Sequence, residues 1–263
     1  LEKLLIIPTY NERENVASII ETVFSLQQNF NILIIDDGSP DGTAAIVKGL
    51  VSKYPERLFL EEREGKLGLG TAYIFGFRWA LERDYNYVFE MDCDFSHNPH
   101  ELDKLYKACK TDGADVAIGS RYVKGGKIEN WPSIRVNLSK GASWYTRLIT
   151  LMPVKDPTAG FVCYTQEVLQ SINFDQISFV GYAFQIEMKF AAWKLGFKIK
   201  EVPITFIDRK YGVSKMNKGI VKEGIFGVLK LKWMSMFKNY RNRVKKINEH
   251  STFQTHNIVM EGK

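Results

Sequence analysis

Five short apolar runs separated by helix-length segments restrict this chain to one broad class of fold. The runs are LLIIP (Leu4–Pro8), ILII (Ile32–Ile35), LFLE (Leu58–Glu61), YVFEM (Tyr87–Met91) and DVAIG (Asp115–Gly119). Glu12–Gln28, Asp41–Tyr54, Gly70–Asp84 and Pro99–Asp112 fill the gaps as helices, and TYNE and SPDG supply Asn, Asp and Pro at two helix entries. Strands alternating with helices build βαβ units, so an α/β fold with a mostly parallel sheet flanked by helices is expected. Ligands of such sheets bind beyond the carboxyl ends of the strands. The residues that directly follow the runs are therefore the ones to inspect: Tyr10 and Glu12, then Asp36 and Asp37, then Asp92 and Asp94.

From Trp131 the pattern changes to a helix-like segment, Ile134–Met152, a DPTAGF turn and a β-type run, Ile199–Phe206. These read as the second half of a domain over residues 1–210, because 263 residues fit one large core with an appendage. The appendage is basic. Residues 209–246 hold twelve Lys or Arg against the single acid Glu223, which leaves the rest of a chain of net charge +6 at −5. Such asymmetry points to an anionic partner. Gly219–Phe237 raises the question of a membrane span, but Lys222, Glu223, Lys230 and Lys232 interrupt it. A spanning helix needs roughly 20 apolar residues, and each central Lys costs about 2.5–3.5 kcal/mol. Its apolar positions do not separate onto one helical face, so 211–246 is expected to form two short interfacial helices with Lys and Arg towards lipid headgroups, followed by a flexible tail over 247–263.

Cys93, Cys109 and Cys163 form no C-x-x-C pair, and their odd number builds no disulfide framework. The first apolar run is too short for a signal peptide. A cytoplasmic, peripherally membrane-associated protein is expected.

Asp92-Cys93-Asp94 places two hard oxygen donors at a strand end, and Mg²⁺ or Mn²⁺ takes such carboxylates together with phosphate oxygens. A D-x-D alone reads as readily as an acidic turn. IIDDGSPDGT (Ile34–Thr43) adds a second acid pair at the neighbouring strand end, where an acid can hold a ribose hydroxyl or a base edge. Asp37 is read that way and Asp41 as a helix cap. GKLGLGTAY (Gly65–Tyr73) lacks both G-x-G-x-x-G and the Walker lysine spacing, and on its own reads as a flexible helix entry. Arg121, Arg135, Arg209 and Lys215 lie among small hydrogen-bonding residues, and arginine forks suit phosphates. Each alone reads as a surface charge. Beside an acid pair that needs a metal and a phosphate, they describe a site for two phosphorylated substrates.

IIPTYNE, DDGSPDGT, KLGLGTAYIFGF, MDCDFSHNP, GSRY, DPTAGF, GYAFQIEM and EVPITFIDRKYGVSK follow one another in the order seen in the dolichyl- and polyprenyl-phosphate mannose synthases. The chain resembles this branch of the family 2 inverting glycosyltransferases over roughly residues 3–232, in the form without transmembrane helices. The resemblance implies the GT-A fold, GDP-mannose as donor, a polyprenyl or dolichyl phosphate as acceptor, a β-linked product, and Mg²⁺ or Mn²⁺. Carried over by position, Pro8, Tyr10, Glu12, Ile35 and Asp37 would hold the nucleoside. Asp92, Cys93, Asp94 and Ser96 would meet the donor diphosphate, with Asp92, Asp94 and Ser96 as metal ligands; whether Ser96 binds directly or through water stays open. Arg121, Arg135 and Ser139 would take the acceptor phosphate, and Arg209 and Lys215 would cover the diphosphate. Asp94, Arg121 and Arg209 are the catalytic candidates. Glu187 reads either as a base or as a contact to sugar or a basic neighbour. A bilayer surface is the implied partner and a membrane subunit an open alternative; the rival donor is UDP-glucose. A membrane adaptor or a nucleic-acid binder would use the basic tail but leaves acids at three strand ends unexplained, so no nucleic-acid partner is expected.

Overall fold

A computed structural model describes residues 1–181, 183–209 and 218–242, with 218–225 as backbone only. Lys3–Thr9 (β1) lies between Asn31–Asp36 (β2) and Tyr87–Glu90 (β4), both parallel to it, and Leu58–Glu62 (β3) pairs parallel with the outer side of β2. These strands are apolar almost throughout because both faces of the sheet are covered. Leu4 and Ile6 enter one core, closed by helices Leu69–Leu81 (α3) and Ala183–Lys194 (α7). Leu5 and Ile7 enter the other, beneath Val16–Ser25 (α1), Thr43–Val51 (α2) and Leu102–Lys110 (α4).

Val116–Ser120 (β5) and Ile199–Pro203 (β8) pair parallel in the far half, while Val162–Thr165 (β7) runs antiparallel between β4 and β5. The order is β3-β2-β1-β4-β7-β5-β8, a mostly parallel seven-stranded sheet as expected. Because β7 opposes both its neighbours, β5 runs in the same direction as β4. The carboxyl ends of β2, β1, β4 and β5 thus lie along one edge. Lys127–Glu129 (β6) and Thr205–Ile207 (β9) form a separate parallel pair, Ser133–Thr150 is α5 and Gln166–Ser171 is α6. The four residues of β7 directly follow the DPTAGF turn, and the sequence reading placed no strand there.

Two expectations change. The first helix begins at Val16 and not at Glu12. Asn11 takes a left-handed φ of 57°, its N–H donates to Ser39 Oγ at 2.9 Å, and the Glu12 N–H donates to Thr43 Oγ1 at 3.0 Å. The first strand-to-helix loop is therefore tied to the second and stays unwound at the site edge. Second, the expected pair of short interfacial helices is one helix, Lys218–Met234 (α8). Val228 and Leu231 are 2% and 1% exposed in the core, while Phe226 and Trp233 are more than 60% exposed. Apolar residues occupy both faces because one face packs inward, which explains the absent amphipathic pattern. Lys215, the end of the basic segment from 243 and the tail 247–263 lie outside the described residues.

Gly70, in the first turn of α3, donates its N–H to Val180 O at 2.8 Å, and a Cβ there would lie 2.8 Å from both Phe179 O and the Phe184 ring. Gly70→Ala should lower the unfolding free energy by about 1–3 kcal/mol through overpacking. Gly49→Ala, at an exposed helix position with nothing within 4 Å, should raise it by up to about 1 kcal/mol. Urea titrations of the two variants check this opposite pair of signs.

Candidate active site

At the end of β2 the two neighbouring acids have separate tasks. Asp36 is spent on structure: it accepts from Thr9 Oγ1 at 2.8 Å, from the Ser39 N–H at 2.8 Å and from Ser39 Oγ at 2.6 Å. Asp37, 6% exposed, faces Arg63, whose Nε donates to Oδ1 at 2.7 Å. Burial pushes the Asp37 carboxyl above its ordinary value, and Arg63 pulls against that shift. Arg63 also donates to Thr71 Oγ1 at 2.9 Å and Gly68 O at 3.4 Å, and the Lys66 ammonium lies 4.9 Å from the Tyr10 ring centroid. The glycine loop that its spacing left unassigned is thus built against Tyr10 and Asp37. Pro8 and Glu12 are half-buried on the same rim, and Asn15 Nδ2 donates to Glu12 Oε2 at 2.9 Å. Ile35 is fully buried in the core, so it can offer a ligand only main-chain atoms. Asp41 accepts from the Thr43 N–H at 3.0 Å, the helix-entry role read from sequence.

At the end of β4, the Asp92 side chain is 42% exposed and that of Asp94 only 7%. Phe95 turns through a left-handed φ of 59°, which lets the Ser96 N–H donate to Asp94 Oδ1 at 3.0 Å. Arg209 Nη2 stands 3.2 Å from Asp94 Oδ2. Cys93 is buried in the core beneath, and Ser96 is 3% exposed. Among the described residues no group of three or more His, Cys, Asp and Glu could hold an ion by itself. Two carboxylates with the Ser96 hydroxyl nearby fit a hard divalent cation that takes its remaining donors from substrate phosphate and water. His97 sits behind this pair, stacked on Phe161 with ring centroids 5.1 Å apart, and its Nδ1 lies 4.0 Å from Asp92 Oδ2 without a hydrogen-bond partner. Burial holds its pKa down at about 4, so the ring is neutral.

The predicted acceptor cations come together around Trp131, whose ring lies 5.8 Å from the Arg121 guanidinium and 3.9 Å from that of Arg135. Both carry carboxylate partners that the sequence did not reveal. Arg121 donates to buried Asp156 through Nε at 2.7 Å and Nη2 at 2.6 Å, and Nη2 also reaches Thr158 Oγ1 at 2.9 Å. Burial works against the Arg121 charge, and Asp156 overrides it. Arg135 Nη1 stands 3.1 Å from Asp208 Oδ1, and Ser139 accepts from Tyr122 OH at 2.6 Å. Asp156 was visible as part of DPTAGF, yet its partner is 35 residues away.

Glu187 is settled as a contact to a basic neighbour. It is fully buried and accepts from the Ser178 and Phe179 N–H groups at 2.7 and 3.0 Å and from Lys238 Nζ at 3.0 Å. Two residues on, Lys189 donates to Ala159 O at 2.7 Å, Gln185 O at 3.0 Å and Gln185 Oε1 at 3.0 Å. Burial raises the nearby Glu90 carboxyl to about 8 and lowers Lys189 to about 8, each opposed by the other's charge.

A mostly parallel sheet with paired aspartates at one strand end and arginines clustered nearby around Phe206 and Trp131 has the plan of a GT-A glycosyltransferase. The family model for glycosyl transferase family 2 matches residues 4–172, and the chain belongs to that family. It is 47% identical over 225 residues to a polyprenol monophosphomannose synthase of Mycolicibacterium smegmatis, covering 86% of this chain and 84% of that protein. It is 41% identical over 241 residues to an undecaprenyl-phosphate mannosyltransferase of Micrococcus luteus, covering 92% and 98%. A mannosyltransferase of Pyrobaculum calidifontis, solved with GDP-Man and Mn²⁺, shares the fold with a TM-score of 0.56 at 15% identity, covering 90% of this chain and 64% of that one.

His97 yields a test of the site's burial. Its folded pKa of about 4 lies below the ordinary 6.5, so the unfolded chain takes up a proton that the fold refuses. The stability this contributes is present above pH 6.5 and is lost as pH falls towards 4. In chelator, His97→Phe, which keeps a ring on Phe161, should lose about 3 kcal/mol less unfolding free energy than the parent between pH 7 and pH 4 in urea titrations.

Proposed function

We propose that this protein transfers mannose from GDP-mannose to a polyprenyl phosphate, with inversion, releasing GDP and a β-linked polyprenyl phosphomannose. The observation that carries the reading is an acidic pair and an arginine cluster gathered around Phe206. Asp92 and Asp94 follow β4, where His97 packs on Phe206, and Arg121 and Arg135 converge on Trp131, which packs on the same Phe206 ring. The names of the two curated relatives support the acceptor class and the sugar, and the GDP-Man complex of the Pyrobaculum calidifontis structure supports the donor.

The chemistry asks little of a protein base. A phosphate monoester has a second pKa of about 6 and is largely dianionic at neutral pH, so it is already a nucleophile. This agrees with a site in which Glu187 is fully engaged and His97 is buried and neutral. The bond from an acceptor phosphate oxygen to the anomeric carbon forms as the bond from that carbon to the donor diphosphate breaks, and GDP leaves with the electron pair. Arg121, fixed by Asp156, and Arg135, fixed by Asp208, orient the incoming phosphate. Asp37 with Arg63 binds the nucleoside end. Arg209, and Lys215 by sequence position, steady the departing diphosphate. Mg²⁺ or Mn²⁺ held by Asp92 and Asp94, with Ser96 beside them, would supply positive charge at the leaving group.

The acceptor is a lipid, and the fold offers a surface for it. None of the described helices is long and apolar enough to cross a membrane. Instead α5 exposes Ile134, Leu138 and Trp144, the adjoining α8 exposes Phe226 and Trp233, and Phe237 follows at 77% exposure, among lysines such as Lys140 and Lys230. Apolar side chains mixed with basic ones suit the headgroup region of an anionic leaflet. We therefore read residues 1–210 as the catalytic domain and the segment from 211 as its membrane-facing appendage, at the cytoplasmic leaflet.

Purified protein should move labelled mannose from GDP-mannose, and not glucose from UDP-glucose, into solvent-extractable lipid. Chelation should abolish transfer and Asp94→Asn should lower kcat by about 10²–10³. Label that stays in water with every polyprenyl phosphate tried defeats the proposal. Trp233→Ser combined with Phe237→Ser should weaken co-sedimentation with anionic vesicles while water-soluble short-chain acceptors are still used; unchanged sedimentation would remove α8 from the membrane surface.

A further inference from the structure

Helix α5 and the turn after it carry basic side chains that the transfer scheme does not use. Residues 133–155 hold four Lys or Arg and no acid. Lys140, Ser143, Trp144 and Arg147 recur at the three- and four-residue spacing that puts them on one face of the helix. That face, with Lys155 and the turn that follows β5, lines an open cleft of about 370 Å³. Arg121 and Arg135 have Asp156 and Asp208, but among the described residues no carboxylate is paired with the side chain of Lys140, Arg147 or Lys155. The acids that meet this part of the chain are engaged by other donors. Glu201 accepts from the Lys155 and Asp156 N–H groups at 2.7 and 2.9 Å, and Asp156 holds Arg121. Three cations around one opening repel one another, and an anion between them removes that cost.

Ser143 gives a second, independent sign of a ligand. Thr146 and Thr150 on the same helix return their hydroxyl protons to carbonyls one turn back, Ala142 O at 2.8 Å and Thr146 O at 2.7 Å. Ser143 is 3% exposed and lines the cleft, and its Oγ has no hydrogen-bond partner, a condition that buried polar atoms seldom keep. A hydroxyl donor, an arginine fork and two ammonium groups suit a phosphate.

The rim decides which phosphate. Trp144 is 64% exposed, and Leu148 and Leu151 beyond it are 55% and 66% exposed. A free phosphate gains nothing from such a rim, whereas a phospholipid lays its glycerol and first acyl carbons on it. Three cations also disfavour a headgroup that carries its own ammonium. Arg121 borders the cleft, yet its Nε and Nη2 are held by Asp156 and Thr158, and Arg135 is not among the described residues that line it.

We propose that this cleft seats the headgroup phosphate of one anionic glycerophospholipid that is not consumed, held by Lys140, Arg147, Lys155 and the Ser143 hydroxyl, with Trp144 against its glycerol carbons. This rests on the reading of α5 as membrane-facing and adds a defined lipid to it. Arg135 and Ser139 belong to the same helix, so a seated headgroup orients the acceptor-side residues at the leaflet.

Calorimetry with dihexanoyl phosphatidylglycerol below its micellar concentration tests this without the surface charge of a bilayer. The parent should bind one molecule per chain, with dihexanoyl phosphatidylcholine and inorganic phosphate each at least about tenfold weaker. Ser143→Ala, which removes a hydroxyl and no charge, should weaken phosphatidylglycerol about tenfold. Arg147→Gln combined with Lys155→Gln should abolish binding, whereas Lys230→Gln, at an exposed position of α8 outside the cleft, should leave it unchanged. Urea midpoints equal to the parent's show that the variants are folded. The proposal is overturned if inorganic phosphate binds as tightly as the lipid, or if either Ser143→Ala or the double variant binds as the parent does. It is also overturned if a saturating short-chain prenyl phosphate displaces the phospholipid, which makes the cleft the acceptor's own seat. A parent that sediments with anionic vesicles but does not bind the monomeric lipid overturns this proposal alone; one that does neither overturns the membrane-facing reading with it.

Discussion

Carboxylates gathered along one sheet edge repel one another, and each of the buried ones here is matched by a cation or a set of donors. Arg63 faces Asp37, Arg209 faces Asp94, Arg121 faces Asp156, and Lys189 lies near Glu90. Asp36, without a cation, is enclosed by Thr9 and Ser39. Removing one member of such a buried pair leaves an uncompensated charge, which costs more than the pair itself contributes. The cations are therefore structural before they are functional. Their arms that remain accessible, together with half-exposed Asp92, are what the cleft has to offer a substrate.

The parallel pairing of β1 with β2 and β4 makes this possible. It brings residues after three strand ends into one crevice although they are far apart in the chain. Family membership follows from the same order of segments, since the matched stretch, residues 4–172, contains each of these strand ends.

Legibility from sequence divided along physical lines. The interior strands were readable because burial on both faces makes them continuous apolar runs, and the acids after them were readable because such runs end abruptly. Tyr10, Asp37, Asp92 and Asp94 were singled out by that rule. Partners were not readable, because an ion pair between residues 26 or 35 positions apart leaves no local pattern. Arg63, Asp156 and Asp208 were missed on that account. β7 was missed because nothing local in the short run Phe161–Tyr164 shows that the chain re-enters the sheet antiparallel to β4. α8 was taken for two short helices because its apolar residues serve the core and the outer surface together, which cancels the one-sided signature that marks a surface helix. His97 and Gln185 stood inside motifs read from the sequence, yet only the fold shows that both lie beside Gly160.

The contact between Gly70 and Val180 has a mechanical meaning. Arg63 holds Asp37 at one end and Gly68 at the other; two residues on, Gly70 is hydrogen-bonded to Val180, and five residues beyond that stands Gln185. Arg63 and the entry of α3 thus tie the end of β2 to Val180 through two hydrogen-bonded crossings, so that Asp37 cannot shift without pulling on a segment more than a hundred residues further along the chain.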